Sequence, residues 1–254
     1  MAKVASFAKR VFYRKRPASR PPPETATVKQ LLLDIAPPPA PTLGNFVVGA
    51  NTELLAALSS VLDGSAGERF VYLWGGTGCG KSHLLAGFAA EAAVLGMRVG
   101  FIAGGTDACR ADDLAACDVI VVDDVLKLDA DSQVGLFDLI NRLRDGTGLL
   151  LVSGPFAPMH LKLRPDLATR LGQCLIYQTQ CLSDADKQQA LISHAQGRGF
   201  TLPMDAASYL LRKWKRDLPS LMAVLDALDR YSLEVKRPIT VPLVREVLGL
   251  LPVE

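Results

Sequence analysis

The chain has 254 residues and a formal net charge of +2, with 49% hydrophobic and 21% charged residues. That length buries one good core with a small appendage, and that balance excludes disordered and fibrous classes. No apolar run approaches the ~18 residues that a membrane helix needs, so no membrane association is expected and the cytoplasm is the predicted location.

Residues 1–27 hold Lys3, Lys9, Arg10, Arg14, Lys15, Arg16 and Arg20 against Glu24 alone, so the rest of the chain is mildly acidic. The stretch is proline-punctuated and without periodicity. Disorder, an organelle transit peptide and a start misassigned upstream of Val28 all fit it, and a basic nucleic-acid arm fits less well. Residues 28–40 follow, with the apolar segment Gln30-Leu31-Leu32-Leu33-Asp34-Ile35 and a stiff spacer, Pro37-Pro38-Pro39-Ala40-Pro41.

Asn51-Thr52-Glu53 precedes a helical run, Leu54–Leu58. Phe70–Trp74 reads as a buried strand and leads into Gly75-Gly76-Thr77-Gly78-Cys79-Gly80-Lys81-Ser82, which fits G-x-x-x-x-G-K-[ST] at every fixed position. A helix over His83–Leu95 follows. Strand, glycine loop and helix together form a phosphate-binding loop. Glycines let backbone N–H groups turn toward phosphate oxygens, and the helix N-terminus adds positive partial charge. Lys81 reaches the β- and γ-phosphates, and the Ser82 hydroxyl suits Mg²⁺. The expected ligand is a nucleoside triphosphate or its diphosphate, ATP or ADP with Mg²⁺.

Further elements alternate: a strand at Arg98–Ala103, a short helix near Asp112–Ala116, a strand at Val119–Val122, a helix at Ser132–Arg144 and a strand at Leu149–Val152. This order predicts an α/β fold, a parallel sheet with helices on both faces, over residues 41–180. From Ser183 the strands stop. Helices at Asp184–Arg198, Ala206–Lys215, Pro219–Glu234 and Pro242–Leu251 predict a small all-helical lid over residues 181–254.

Asp123 and Asp124 close the third strand. Asp123 suits the Mg²⁺ site through a coordinated water, and Asp124 stands where a carboxylate orients an attacking water. Ser153 at the end of the next strand is a candidate sensor of the γ-phosphate. Arg170 reads either as an arginine projecting into a neighbour's site or as a surface ion-pair partner. Cys79, Cys109, Cys117, Cys174 and Cys181 are odd in number and lack C-x-x-C spacing, and His83, His160 and His194 lack H-E-x-x-H spacing. A zinc site is therefore not expected, and the thiols read as isolated packing residues in a reducing compartment.

Together these pieces resemble the AAA+ ATPases, and within them the DnaA/Hda group. Leu43-Gly44-Asn45-Phe46-Val47-Val48-Gly49 is similar to the group's F-x-N-F-V-x-G segment, and Gly80-Lys81-Ser82-His83-Leu84-Leu85 to its G-K-[ST]-H-L-L loop. Asp123-Asp124 matches the double-aspartate Walker B motif, and Asp166-Leu167-Ala168-Thr169-Arg170-Leu171 the arginine-finger segment. Leu182-Ser183-Asp184 with Asp186-Lys187, and Arg198-Gly199-Phe200 with Leu202-Pro203, look more like Hda than DnaA. Gln30 to Ile35 has the form Q-L-x-L-x-[LI] of a sliding-clamp-binding peptide. In that reading Leu33 and Ile35 enter an apolar pocket while Gln30 bonds at its rim, beside Leu31.

The resemblance implies a negative regulator of replication initiation. It would dock on the DNA-loaded clamp of the replicative polymerase, touch DNA only indirectly, self-associate as a homo-oligomer, and press Arg170 into the nucleotide site of ATP-bound DnaA. The sequence ends after the lid, where DnaA continues into a DNA-reading domain. Two departures are visible. Gly154 stands where DnaA has an acid after the sensor serine, and Pro219 stands at the sensor-2 position, where the family carries arginine. Hydrolysis in cis should therefore be weak. A helicase loader or other ATPase of DNA replication is the rival reading, and a nucleotide-bound adaptor a third.

Overall fold

The computed structural model describes residues 40–104, 114, 116–215 and 217–250. The clamp-type segment with Gln30, Leu31, Leu33 and Ile35, the extension 1–27, Cys109 and most of the expected helix at 112–116 lie outside the described residues.

Five parallel strands, β1 (Phe70–Trp74), β2 (Val99–Ala103), β3 (Val119–Asp123), β4 (Leu149–Gly154) and β5 (Leu175–Gln178), lie in the order β2-β3-β4-β1-β5. Strands β1, β3 and β4 are apolar on both faces because helices cover both faces. Phe70, Tyr72, Ile120, Val122, Leu150 and Val152 point to one side, into the cluster of Leu136, Leu139 and Ile140 from α3 (Ala130–Asp145) and Leu167 and Leu171 from α4 (Pro165–Leu171). Their sequence neighbours Val71, Leu73, Val119, Val121, Leu149 and Leu151 point to the other. There they meet Leu54 and Leu58 of α1 (Thr52–Leu62) and Leu84, Leu85 and Phe88 of α2 (Lys81–Val94).

The β5 strand adds an element to those expected from the sequence. It is only four residues long and lies at the sheet edge, beside β1. Leu175 and Tyr177 pack on the α1–α2 side while Ile176 is exposed, so the strand's apolar run is short and covered on one face only. The α4 helix is likewise legible in the sequence only as a motif. It begins on Pro165, which tolerates the first helical turn because its missing N–H has no intrahelical partner there. The α3 helix starts two residues before the expected Ser132 because Asp129 caps it, its carboxylate accepting from Ser132 N at 2.8 Å.

Four helices complete the chain: α5 (Asp184–Gly197), α6 (Met204–Lys213), α7 (Leu218–Val235) and α8 (Val241–Leu250). Each carries an apolar face, with Leu191, Leu210, Leu221, Val224, Leu228, Leu243 and Val247 all buried. Ser183 opens α5 with a capping box, its hydroxyl accepting from Asp186 N while the Asp186 carboxylate accepts from Ser183 N. Asp226 of α7 ties this bundle together, accepting from His194 Nε2 at 2.9 Å and from Arg198 Nη1 at 3.2 Å. Among the described residues no helix is long and apolar enough to cross a membrane.

Candidate nucleotide site

The glycine loop leaves the C-terminal end of β1 and enters α2 directly. Gly75, Gly78 and Gly80 have φ values of 154°, 79° and 89°, a region that side-chain-bearing residues rarely adopt. Two of them are also crowded. A Cβ on Gly75 would stand 2.6 Å from Thr179 O, and one on Gly80 would stand 2.7 Å from the Phe46 ring. Backbone amides are therefore presented at the head of α2 with no side chain intervening. The helix starts at Lys81 rather than His83 because Gly80, in the left-handed conformation, serves as its N-cap.

Lys81 folds over the loop, its Nζ donating to Gly75 O at 2.7 Å and Gly76 O at 2.8 Å. Burial lowers its pKa below the ordinary lysine value, while the nearby Asp123 and Asp124 carboxylates oppose that shift. The ammonium thus stands between the glycine loop and the end of β3. Ser82 and Thr77 are exposed on the loop.

At the end of β3, Ser153 Oγ donates to Asp123 Oδ1 at 2.7 Å and accepts from Asp124 N at 2.9 Å. The sequence suggested Ser153 as a phosphate sensor. In the structure it is fully buried and its one hydroxyl hydrogen goes to Asp123, so it orients the carboxylate. Asp124 has a φ of 59°, a strained conformation for a non-glycine residue. One of its oxygens pairs with Lys127 at 3.1 Å, and the other is buried without a partner. An orphaned carboxylate oxygen beside a lysine and a hydroxyl-bearing loop fits a site for a hydrated cation or an ordered water.

Three residues support the loop from outside its own motif. His83 Nε2 is 3.0 Å from Thr42 O, and its ring stands 5.6 Å from the Phe46 ring. This contact holds segment 42–46 against α2. Asn51 precedes α1 but does not cap it. Its side chain instead grips Gln180, accepting from Gln180 N at 2.7 Å and donating to Gln180 O at 2.9 Å. Thr179 N donates to Trp74 O at 2.7 Å, just before the loop begins.

One expectation is corrected outright. Cys79 and Cys181 are not isolated packing thiols; they are joined as a disulfide between the loop and the segment leaving β5. Cys117 and Cys174 are free, and Cys174 fits the packing reading, since burial pushes its thiol up to about 12.

Arg170 lies half-buried near the end of α4, its guanidinium carbon 5.8 Å from the Phe137 ring centroid on α3. Pro219 lies in the first turn of α7, which Asp217 caps by accepting from Ser220 N at 2.9 Å.

Comparison with known proteins decides the family. The family model of the bacterial DnaA ATPase domain matches residues 39–178, and that of the Hda lid domain matches residues 184–248. The chain belongs to the DnaA/Hda family of AAA+ proteins. Its fold is similar to domain III of the replication initiation protein DnaA from Thermotoga maritima, with TM-score 0.66 and 20% identity over 84% of this chain and 98% of that one. AMPPCP-bound DnaA from Aquifex aeolicus gives TM-score 0.60 and 20% identity, over 77% of this chain and 69% of that one. RuvB from Thermotoga maritima gives 0.61 and 19%, over 84% and 73%.

The position after Ser153 has no room for a side chain. A Cβ at Gly154 would run into the Tyr72 hydroxyl, which donates to Phe156 O at 2.8 Å. Tyr72 and Gly154 are thus a matched pair in the core.

Proposed function

We propose that this DnaA-related AAA+ protein is a cytoplasmic negative regulator of replication initiation. It binds ATP or ADP with Mg²⁺, docks on the sliding clamp, and promotes hydrolysis of DnaA-bound ATP through Arg170. The observation that carries the reading is the Hda-type lid, residues 184–248, directly following a DnaA-type ATPase domain, residues 39–178.

In this reading the loop amides and Lys81 hold the phosphates, with Ser82 and Asp123 on the Mg²⁺. The metal, when bound, neutralises phosphate charge. Asp123 is held in place by Ser153, and Asp124 keeps one oxygen free to take a water. Two features support weak hydrolysis in cis. Pro219 supplies no cation from the lid, and Gly154 supplies no acid from β4. Chemistry then moves to the partner's site. There an arginine offers a planar fork to the transferring phosphoryl oxygens, worth ~10³-fold or more in rate. Self-association would let two copies engage an oligomeric clamp, with gain in avidity.

Clamp docking is tested by capture on immobilised sliding clamp. The wild-type chain should be retained, and a Gln30→Ala/Leu31→Ala variant should wash through with an unchanged thermal midpoint. Equal retention of both would refute the clamp-binding assignment.

A further inference from the structure

Cys79 and Cys181 are 102 residues apart in sequence, with Cα atoms 4.2 Å apart, close enough for the two sulfurs to meet. They join two functionally different segments. Cys79 is a residue of the phosphate loop, immediately before Gly80 and Lys81. Cys181 lies in the short connection from β5 to α5, the only link between sheet and lid in sequence. The base holds this connection up to Gln180, through Thr179 N on Trp74 O and the two Asn51 bonds, and the lid takes over at the Ser183 cap. Cys181 therefore sits where the base's hydrogen bonds end and the lid's begin.

The two sulfurs lie against the loop backbone. A Cβ on Gly76 would stand 3.4 Å from Cys79 Sγ and 3.7 Å from Cys181 Sγ. Cys79 is buried and Cys181 is exposed, so one sulfur is open to reagents and the other waits behind it. A disulfide in a reducing compartment is usually transient and regulatory rather than structural.

We propose that Cys79 and Cys181 are a redox-modification site, a dithiol that a small-molecule disulfide oxidises, whose bond fastens the phosphate loop to the lid connection and slows nucleotide exchange. The consequence for exchange rests on the nucleotide reading above. In the first step the Cys181 thiolate attacks one sulfur of the reagent disulfide, forming a mixed disulfide and expelling one thiolate. The Cys79 thiolate then attacks Cys181 Sγ and expels the second. The protein loses two electrons and two protons, and the reagent gains both as two thiols. Reduction runs the same exchange backward with a dithiol or two monothiols. In the oxidised form the loop and the connection can no longer move apart, so any opening of the lid that needs Cys181 to leave the loop is blocked. In the reduced form the Asn51 and Thr179 hydrogen bonds still hold the base side of the connection, without a covalent tie.

The test uses the full-length protein equilibrated in glutathione buffers of varied oxidised-to-reduced ratio, then alkylated and digested. A peptide linking Cys79 to Cys181 should appear as the ratio rises. Its absence at every ratio, or oxidation that goes instead to Cys109, would overturn the site. Release of a fluorescent ADP analogue is then followed from oxidised and reduced protein. Oxidation should slow release by about tenfold, a usual scale for coupling between two sites. A Cys181→Ser variant should release at the reduced rate in every buffer. Equal release from oxidised and reduced wild type overturns the regulatory claim. Failure of the reduced protein to bind the analogue at all would overturn the nucleotide reading instead, and the peptide map would still decide the modification site.

Discussion

Lys81 is the one fixed cation of the loop, held over Gly75 O and Gly76 O and facing the carboxylates of Asp123 and Asp124. Helix dipole and backbone donors supply partial charges only, so they do not replace a full positive charge on the β/γ-phosphates. Charge-assisted bonds are worth ~1.5–3 kcal/mol each, so Lys81→Ala should weaken ATP and ADP binding by about 100-fold or beyond detection in calorimetry. Unchanged affinity would remove the loop from nucleotide binding. Some of the neighbouring detail could not be read from the chain. The Ser153–Asp123 bond joins residues on two strands 30 positions apart, and nothing local in Leu149–Gly154 says where that hydroxyl points. Gly154 could be read as a departure from the family. Its cause, the Tyr72 hydroxyl in the space a Cβ would fill, emerges only from the pairing of β1 with β4.

The elements that sequence made legible are those announced by local pattern: the apolar runs of β1, β3 and β4, the glycines before α2, and the period of the lid helices. The elements it hid depend on distant partners. Edge strand β5 is half-exposed, and Asn51, placed like a helix cap, spends its side chain on Gln180, 129 residues away. The α5 capping box is a local signal that the structure realises. Its test is stability against pH. Ser183→Ala removes the cap on Asp186 N and should cost about 1 kcal/mol near neutral pH. The Ser183 hydroxyl and backbone amide hold the Asp186 carboxyl below the usual carboxylate range. A depressed pKa stabilises the fold fully above the unfolded value, ~4, and that share is lost as pH falls below it through the folded value. Thermal melts should therefore show a difference between wild type and Ser183→Ala at pH 7 that narrows by about pH 3. A difference that widens on acidification would mean that the box does not operate.

At the scale of the whole molecule, a DnaA-type base and an Hda-type lid meet at a connection held by Thr179, Asn51 and the Cys79–Cys181 pair. The base presents a glycine loop and ordered carboxylates, and Pro219 lies in the first turn of the lid helix α7. In the proposed function such a molecule holds a nucleotide and acts on another's. The most direct test of that account is single-turnover hydrolysis of labelled ATP prebound to DnaA, on clamp-loaded DNA, with wild type or Arg170→Ala added. The account predicts that wild type accelerates hydrolysis by ~10³-fold or more, and that Arg170→Ala loses the acceleration while keeping nucleotide affinity and clamp retention. Equal rates with the two proteins, or fast hydrolysis by this chain alone, would contradict it.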